Sequence, residues 1–544
     1  MKKKLLIFFA FCFLTAAVFA KESQRIENKA RLLHSHTLEN GLSVFVIEDE
    51  SSALLHLEFV VRAGYSAQEA STTGFIPLFA KLFSSTAKHL EQNAFEIIPL
   101  QSECLADSAV FKADLPPEFL EDFLQTLSLC ALSPVFSDSD IKSEYEALKK
   151  EVDFYSESTA GFINSAIDSQ VFADAPWKQE SGIYPALFAG KSVSELRSVL
   201  THIGQSFYVP QNTAIFITGN CQNQKVLGAI KHFFSDWQNP ARFQNRAYVW
   251  KSQSAQRKFV LTSPYFSKDM TQLVIQFTGL SMSQCDLLSS AFNAPQSVYK
   301  SKLTKDKKLG IRGNEYLAAA SAQKNGSSRF ILQTLFEKEL TLGKTNPVQQ
   351  AERFLLTAKE AATLSRKDFI KAQEAVTAKY KMQTGSSLSC METMAQVWAL
   401  SSATSGEKFY QSFLDIAHEV QLQKENEIAE LINKEEPFIF LLINDSLYKS
   451  ERDNFQKNGY VEIKAENSSW YKNELLAQKA KAEANAKPDK DQLLLTSIIN
   501  SGEIRPVESF YFKNEKQISS FVLSNGIPLT VKENPESGGA VISV

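Results

Sequence analysis

The sequence predicts an α+β protein built from two related blocks. Three observations lead to this fold class: predicted strands alternate with predicted helices, the second block resembles the first in its order of elements, and the chain is long. Its 544 residues are 44% hydrophobic, enough for three or four packed domains at ~150 residues each. The 58 Lys and Arg nearly balance the 61 Asp and Glu, with no long run of one sign. Neither nucleic acid nor an acidic membrane surface is therefore indicated as a partner.

The first element, residues 1–20, has the pattern of an export signal. "MKKK" supplies positive charge, an apolar run extends from Leu5 to Ala20, and Val18 and Ala20 form a small-residue cleavage pattern before Lys21. The run is shorter than the ~20 residues of a membrane span. We therefore expect cleavage after Ala20 rather than a retained anchor, a periplasmic or secreted location, and no stable membrane insertion of the rest of the chain.

The first block, residues 33–240, is predicted to open with two strands, "LSVFVIED" and "LLHLEFVVRAG". Apolar residues then recur every three or four positions from Phe75 to Phe83 and predict a helix. Because proline is tolerated only in the first turn of a helix, Pro77 predicts that this helix begins near Ile76. A short strand, "TAIFIT", and four more helices complete the block. The predicted helices are "PPEFLEDFLQTLSLCALS", "SDSDIKSEYEALKKEVDFYSES", "SVSELRSVLTHIGQSFY" and "NQKVLGAIKHFFSDW".

The second block, residues 250–469, repeats this order with strands at "TQLVIQFTGL", "SRFILQTLFEKEL" and "PFIFLLIND" and a helix at "SRKDFIKAQEAVTAKYK". Residues 470–515 are predicted to be a linker that begins with a solvated segment rich in Ala and Lys. The chain then restarts: "HTLENGLSVFVIED", from His36, returns as "FVLSNGIPLTVKEN", from Phe521. Because a lone hairpin is not independently stable, we expect residues 516–544 to be the truncated start of a further domain; the alternative is a tail that finds a partner strand.

Five cysteines follow the predicted signal, namely Cys104, Cys130, Cys221, Cys285 and Cys390. They are widely spaced, odd in number and contain no C-x-x-C pair, so the pattern is not a disulfide framework or a cysteine metal site. We expect them to be small buried residues without a redox role. The sequence also contains no G-x-S-x-G, Walker or G-x-G-x-x-G motif.

The segment "LENGLSVFVIEDESSALLHLEFVVRAGYSAQEASTTGFIPLFAKLFSST" resembles the opening of the insulinase/pitrilysin (inverzincin) metallopeptidases. It has their L-x-N-G strand, a second strand that ends in R-A-G, and a helix that begins with G and an apolar residue. The resemblance continues through "LSPVFSDSDIKSEYEALKKEV", "FADAPW", "FYVPQNTAIFITGN" and "TLSRKDFIKAQEAV", and covers most of residues 33–465. It implies two α/β sandwich domains that form one half of a clamshell, whose two halves enclose a chamber in which peptides are cut.

In this family the helix after R-A-G carries H-x-x-E-H. Two His bind zinc, the family metal, the Glu activates water, and a Glu on a later helix is the third ligand. In register with that motif, this chain has Pro77 at the first His, Ala80 at the Glu and Lys81 at the second His. Proline and alanine have no ligand atoms and lysine brings a competing positive charge. We therefore predict no catalytic residue, no metal ligand and no cofactor in this chain.

The other positions implied by the resemblance are no better equipped. Glu144 and Glu151 fall at the supporting and third-ligand carboxylates, and without the histidines we expect them to lie on a solvated helix face. Thr304 and Ile311 fall where the complementary half of such enzymes has an Arg and a Tyr to grip the substrate carbonyl. No two histidines are four apart, which excludes a rebuilt metal helix; they are His34, His36, His56, His89, His202, His232 and His418.

Three hypotheses follow. The first is a non-catalytic half of an exported insulinase-like peptidase, which forms a wall of a peptide chamber with a second half in cis or trans and binds peptide or unfolded polypeptide. The second is a pseudopeptidase that acts as a binding or scaffold protein of the cell envelope. The third is an active zinc metalloendopeptidase, either because the ligands are misaligned or because the motif lies in a missing C-terminal half. Under the first hypothesis, the chain alone binds no zinc and cleaves no peptide.

Overall fold

A computed structural model describes residues 32–68, 74–173, 192–240, 254–311, 316–321, 328–341, 346–401, 405–414, 416–468, 518–522 and 528–532. The chain forms two compact units, Met1–Lys479 and Ala480–Val544. The predicted signal, residues 1–20, and the predicted linker, residues 470–515, lie outside the described residues. None of the described helices has the length and apolar character that a membrane crossing requires.

The first sheet has six strands in the order β1-β2-β6-β3-β5-β4. β2 and β6 are parallel, and all the other neighbours are antiparallel. The bounds are β1 Leu32–Thr37, β2 Ser43–Glu48, β3 Leu55–Val61, β4 Gln101–Cys104, β5 Ala109–Leu115 and β6 Thr213–Gly219. β2, β3 and β6 lie where their apolar runs predict them, whereas the sequence pattern did not predict β1, β4 or β5.

The helices of this part of the chain are α1 Phe75–Phe83, α2 Leu120–Leu132, α3 Asp138–Glu157, α4 Thr159–Val171, α5 Val193–Phe207 and α6 Asn223–Phe234. α1 begins one residue before the predicted Ile76. Gly74 at its N-terminus has a φ of 91°, which glycine adopts without steric cost. The first helical hydrogen bond runs from Leu78 N to Gly74 O at 3.2 Å. Pro77 therefore lies in the first turn, where backbone N–H groups have no helical partner.

The second sheet has the order β12-β7-β11-β8-β10-β9. The bounds are β7 Lys258–Ser263, β8 Met270–Thr278, β9 Tyr316–Ser321, β10 Arg329–Glu337, β11 Phe438–Asn444 and β12 Val461–Ile463. β7 and β11 are parallel, as β2 and β6 are, and β8, β10 and β9 follow in the same antiparallel order as β3, β5 and β4. The sheets differ at one edge, where β12 is parallel to β7 and β1 is antiparallel to β2. The prediction of two related α+β blocks is confirmed.

The helices of the second block are α7 Met282–Asn293, α8 Val298–Lys305, α9 Pro347–Ala362, α10 Arg366–Gln383, α11 Ser387–Leu400, α12 Gly406–Leu414, α13 Ile416–Leu422, α14 Glu425–Lys434 and α15 Asp445–Lys457. The smaller unit contains an antiparallel hairpin of β13 Ile518–Val522 and β14 Pro528–Lys532. This hairpin lies in the segment that repeats the opening of the first block.

Each sheet of the larger unit is covered on one face by helices of its own block and on the other by a helix of the other block. α11 packs on the outer face of the first sheet, where Met391, Met394 and Trp398 meet Phe45 and Phe216. α4 packs on the outer face of the second sheet; the contacts are made by Phe162, Ala166, Val171, Phe259, Leu261 and Phe440. α4 and α11 directly follow the long helices α3 and α10 in the two blocks. The blocks are therefore joined by a reciprocal exchange of helices.

Candidate functional site

The helix α1 is buried in the main core on nearly all sides, and Lys81 is the one of its nine residues that is partly exposed. Phe79 and Phe83 are buried against Tyr208, with ring centroids 4.3 and 5.5 Å apart. α1 also contacts α3, α5 and β4. The predicted core face is therefore buried as a unit, and it holds α1 in a fixed orientation beside the edge of the first sheet.

The three α1 residues that the resemblance aligns with H-x-x-E-H do not fit a metal ion. Pro77 is buried and Ala80 is only 2% exposed, and neither has a side-chain nitrogen or oxygen. Lys81 reaches across to α3, where its Nζ lies 2.8 Å from Oε2 of Glu151. The two residues at the second-His and third-ligand positions are thus in direct contact as an ion pair. Glu151 is the only one of these four residues with a metal-binding group, so they do not fit zinc.

The Lys81–Glu151 pair is partly open to solvent, with 33% and 61% of the two side chains exposed. A pair of this kind contributes only ~0.2–1 kcal/mol to stability, because water screens its charges. Its main consequence is electrostatic. The carboxylate that would need a cation already has one, supplied by the chain itself.

Glu144 lies two turns before Glu151 on α3 and is partly buried, on the same side of the helix. Thr304 lies on α8, and its hydroxyl donates to the backbone oxygen of Lys300 at 2.9 Å. Ile311 packs against the second core. Ile311 has no polar group that could polarise a substrate carbonyl, and the hydroxyl of Thr304 is already donated to the backbone of its own helix.

The strand β4 forms the free edge of the first sheet beside α1. Gln101, Ser102 and Glu103 are exposed. Leu105 N donates to Ser108 O at 2.8 Å directly after the strand. Since hydrogen-bonded pairs alternate in antiparallel sheets, the register places the backbone N–H and C=O of Ser102 on the outer edge. Within the described ranges, no strand pairs with that edge.

The cysteines described here are free thiols. Cys104, at the end of β4, is partly exposed, but burial of its thiol raises its pKa strongly, Glu103 adds to the rise, and the positive charge of Lys81 only partly opposes it. Burial also raises the pKa of Cys130 to about 12 and that of Cys221 to about 11. These thiols are protonated at neutral pH, which makes them poor nucleophiles. A further group of titratable side chains, around His56 on the other face of the sheet, was not singled out by any sequence pattern.

No known family model matches the sequence, and no curated protein matches it. Solved structures do. A protease from Helicobacter pylori superposes with a TM-score of 0.59 at 13% identity, over 76% of this chain and 99% of that one. A protein from Alicyclobacillus acidocaldarius described as an M16-like peptidase gives 0.57 at 13% identity, over the same shares. The chain has an insulinase/pitrilysin-like fold.

This chain spans about half the length of another similar structure, the periplasmic protease PqqL from Escherichia coli. It matches with a TM-score of 0.58 at 14% identity, over 93% of this chain but only 56% of PqqL. The first half of PqqL alone matches with the same TM-score and identity, over 84% of this chain and 97% of that half. At these identities the likeness concerns the fold and not the activity.

Proposed function

We propose that this chain is an exported, non-catalytic half of an insulinase-like peptidase that forms one wall of a peptide chamber. Its ligand is a peptide or unfolded polypeptide in extended conformation, and its partner is a second insulinase-like half in cis or in trans. The observation that carries the proposal is the ion pair between Lys81 and Glu151, beside the exposed edge of β4. The pair takes up the carboxylate that a zinc site would use, while the strand edge next to it keeps its capacity to bind a peptide.

We expect no metal-dependent catalysis at α1, because too few metal ligands are present there. A catalytic zinc site needs three protein ligands and an open position for water. The corresponding positions on α1 supply none, and the one on α3 supplies only Glu151. At this position, the zinc that the fold family carries would be held by nothing but a carboxylate that already pairs with Lys81. A peptide bound here would therefore meet a binding surface without a metal-activated water.

Peptide binding follows from the backbone of β4. An exposed edge strand adds an extended peptide by main-chain hydrogen bonds, largely independent of the peptide sequence. An open edge is otherwise an aggregation hazard that proteins avoid or cover. The outward N–H and C=O of Ser102 are the groups that would pair with such a peptide.

The test is the binding of a fluorescently labelled unfolded polypeptide, followed by anisotropy. Ser102→Pro removes one outward N–H without breaking a bond to β5, and proline is tolerated on edge strands. Because one backbone hydrogen bond contributes ~1 kcal/mol, and because the ring also blocks the edge, the Kd should rise about fivefold or more. Ser102→Ala, the matched control, keeps the N–H and should bind as the unchanged chain does. Equal binding by all three proteins would contradict a role for β4.

The non-catalytic assignment is tested with the same polypeptide by electrophoresis and mass spectrometry. We expect no cleavage by the purified chain, with or without added Zn²⁺. Cleavage that a chelator abolishes and that Glu151→Gln removes would support the active-peptidase hypothesis instead. If the chain binds peptide but no second half co-purifies with it from its own cell envelope, the scaffold hypothesis replaces the chamber wall.

A further inference from the structure

A cluster of ionisable side chains lies on the outer face of the first sheet, opposite α1. His56 and Glu58 are two residues apart on β3 and so share that face. Their cross-strand neighbours on β5 are Asp114 and Lys112, respectively. Glu392 approaches from α11, the helix that the second block contributes to this face. Residues from both blocks therefore meet in one place.

We infer that His56, Glu58 and Glu392 form a binding site for a divalent transition metal ion, such as Zn²⁺, that joins the two blocks. One ligand atom from each residue lies within 4.8 Å of the others. The site is distinct from the α1 positions, because it lies on the opposite face of the sheet. It revises the expectation that the chain binds no metal, which was drawn from the α1 motif.

The orientation of His56 is that of a metal ligand. Its Nδ1 lies 2.7 Å from Oδ1 of Asp114 and can donate to that carboxylate, so a metal ion at Nε2 would replace only the proton that Nε2 shares with Glu58 in the metal-free chain. Histidines that bind metals commonly donate their other ring N–H to a carboxylate in this way. Nε2 lies 3.2 Å from Oε1 of Glu58.

The spacing of the ligand atoms fits a tetrahedral ion. Zinc binds imidazole nitrogen and carboxylate oxygen at ~2.0–2.2 Å, which places neighbouring ligand atoms ~3.3–3.5 Å apart. The His56–Glu58 separation already has about this value. Glu392 is partly exposed, and its ligand oxygen lies within 4.8 Å of the other two ligand atoms. The fourth position is left for water, and the imidazole favours zinc-like ions over Mg²⁺ or Ca²⁺.

The charge of the cluster also favours a divalent cation. Glu58, Asp114 and Glu392 supply three carboxylates, and Lys112 is the ammonium group beside them, with its Nζ 3.2 Å from Glu58. Glu58 is only 2% exposed, and a buried carboxylate needs a close counter-charge. Lys112 is a third exposed, so its flexible side chain can turn to solvent when an ion takes its place. Glu392 has no ion-pair partner among the described residues, which leaves its carboxylate available.

The experiment is a titration of the chelator-treated full chain with Zn²⁺ by calorimetry, together with thermal unfolding. We expect one Zn²⁺ per chain and a higher Tm in its presence. His56→Ala and Glu392→Gln should each weaken binding by at least ~10–100-fold. Lys112→Met should tighten it, because the competing cation is removed.

Two matched controls keep the test specific. His202→Ala changes an exposed histidine on α5, and Glu151→Gln changes the carboxylate beside α1; both should leave Zn²⁺ binding unchanged. The inference is overturned if the folded chain takes up no Zn²⁺, or if binding survives His56→Ala. Binding that is lost in Glu151→Gln but kept in His56→Ala would overturn both this site and the non-catalytic assignment of α1.

Discussion

Building H-x-x-E-H on α1 tests whether the register that the resemblance assigns to this helix is right. The triple variant Pro77→His, Ala80→Glu and Lys81→His recreates H-x-x-E-H, with Glu151 on α3 as the third ligand. The 2.8 Å contact between Lys81 and Glu151 shows that a side chain at position 81 reaches this carboxylate. We expect the variant to bind Zn²⁺ at this place. The variant is made in a His56→Ala background, so that the cluster on the other face cannot contribute.

The cost of the change can be worked out from the structure. Loss of the partly exposed ion pair costs ~0.2–1 kcal/mol, and loss of a proline that suits the first turn costs ~0.4–1 kcal/mol. Ala80 is 2% exposed, so a glutamate there overpacks the site at ~1–3 kcal/mol. The sum, ~2–5 kcal/mol, is within the ~5–15 kcal/mol stability of a typical domain. Zn²⁺ at a hundred times its Kd would return ~2.7 kcal/mol.

The assay is thermal unfolding with and without Zn²⁺, combined with calorimetric titration. The rebuilt chain should have a lower Tm without metal and regain a large part of the loss with it. Adding Glu151→Gln should weaken Zn²⁺ binding by at least ~10–100-fold. A folded triple variant that binds no Zn²⁺, or whose affinity does not depend on Glu151, would refute the assigned register.

Three further predictions concern other parts of the chain. Burial would raise the pKa of Asp140, but hydrogen bonds from Ser137 outweigh it and lower the pKa from 3.8 to about 2; the side chain is 12% exposed. Asp140→Asn should therefore lower the free energy of unfolding by about 2 kcal/mol at pH 7. Measured by urea unfolding, the difference in stability between the variant and the unchanged chain should disappear as the pH falls from 3.8 to about 2. A stability difference that persists at low pH would contradict this. Arg62 is 5% exposed, donates to the backbone oxygen of Trp398 at 3.1 Å and stacks at 3.7 Å on the Trp398 ring. Arg62→Lys should therefore lower the free energy of unfolding by about 2–4 kcal/mol. A loss under ~0.5 kcal/mol would contradict a stabilising role for the Arg62–Trp398 contact. The mass of the exported chain should correspond to cleavage after Ala20, and an intact N-terminus would show a retained anchor.

The apolar period predicted α1 because its pattern is local. The five apolar side chains that the period places on one side are all buried, and the helix begins only one residue before the expected Ile76. β4 was missed because "QSEC" is polar and exposed, so it lacks the alternation that indicates a strand. β5 was not predicted because Lys112 and Asp114 interrupt its short apolar run, although polar and apolar residues alternate in its second half. Strands at a sheet edge or beside charged side chains contain polar residues at positions that are apolar in central strands, so their sequences lack the pattern that predicts a strand.

The packing partners of α4 and α11 could not be predicted from their sequences. Each helix has an apolar side that must be buried, but the spacing of apolar residues does not indicate which sheet will cover it. The same holds for the cluster of His56, Glu58 and Glu392, whose members are brought together only because α11 crosses to the first sheet. The search for two histidines four residues apart applies only within a single helix, so it could not identify His56 as a metal ligand.

The sequence by itself determined the α+β class, the repeated order of elements and the absence of zinc ligands on α1, because period and side-chain chemistry are local properties. Only the tertiary structure decided that Lys81 pairs with Glu151, that the blocks exchange helices, and that His56 and Glu392 meet although they belong to different blocks. Contacts between distant segments depend on which faces fit together once both sheets have formed. No local pattern carries that information.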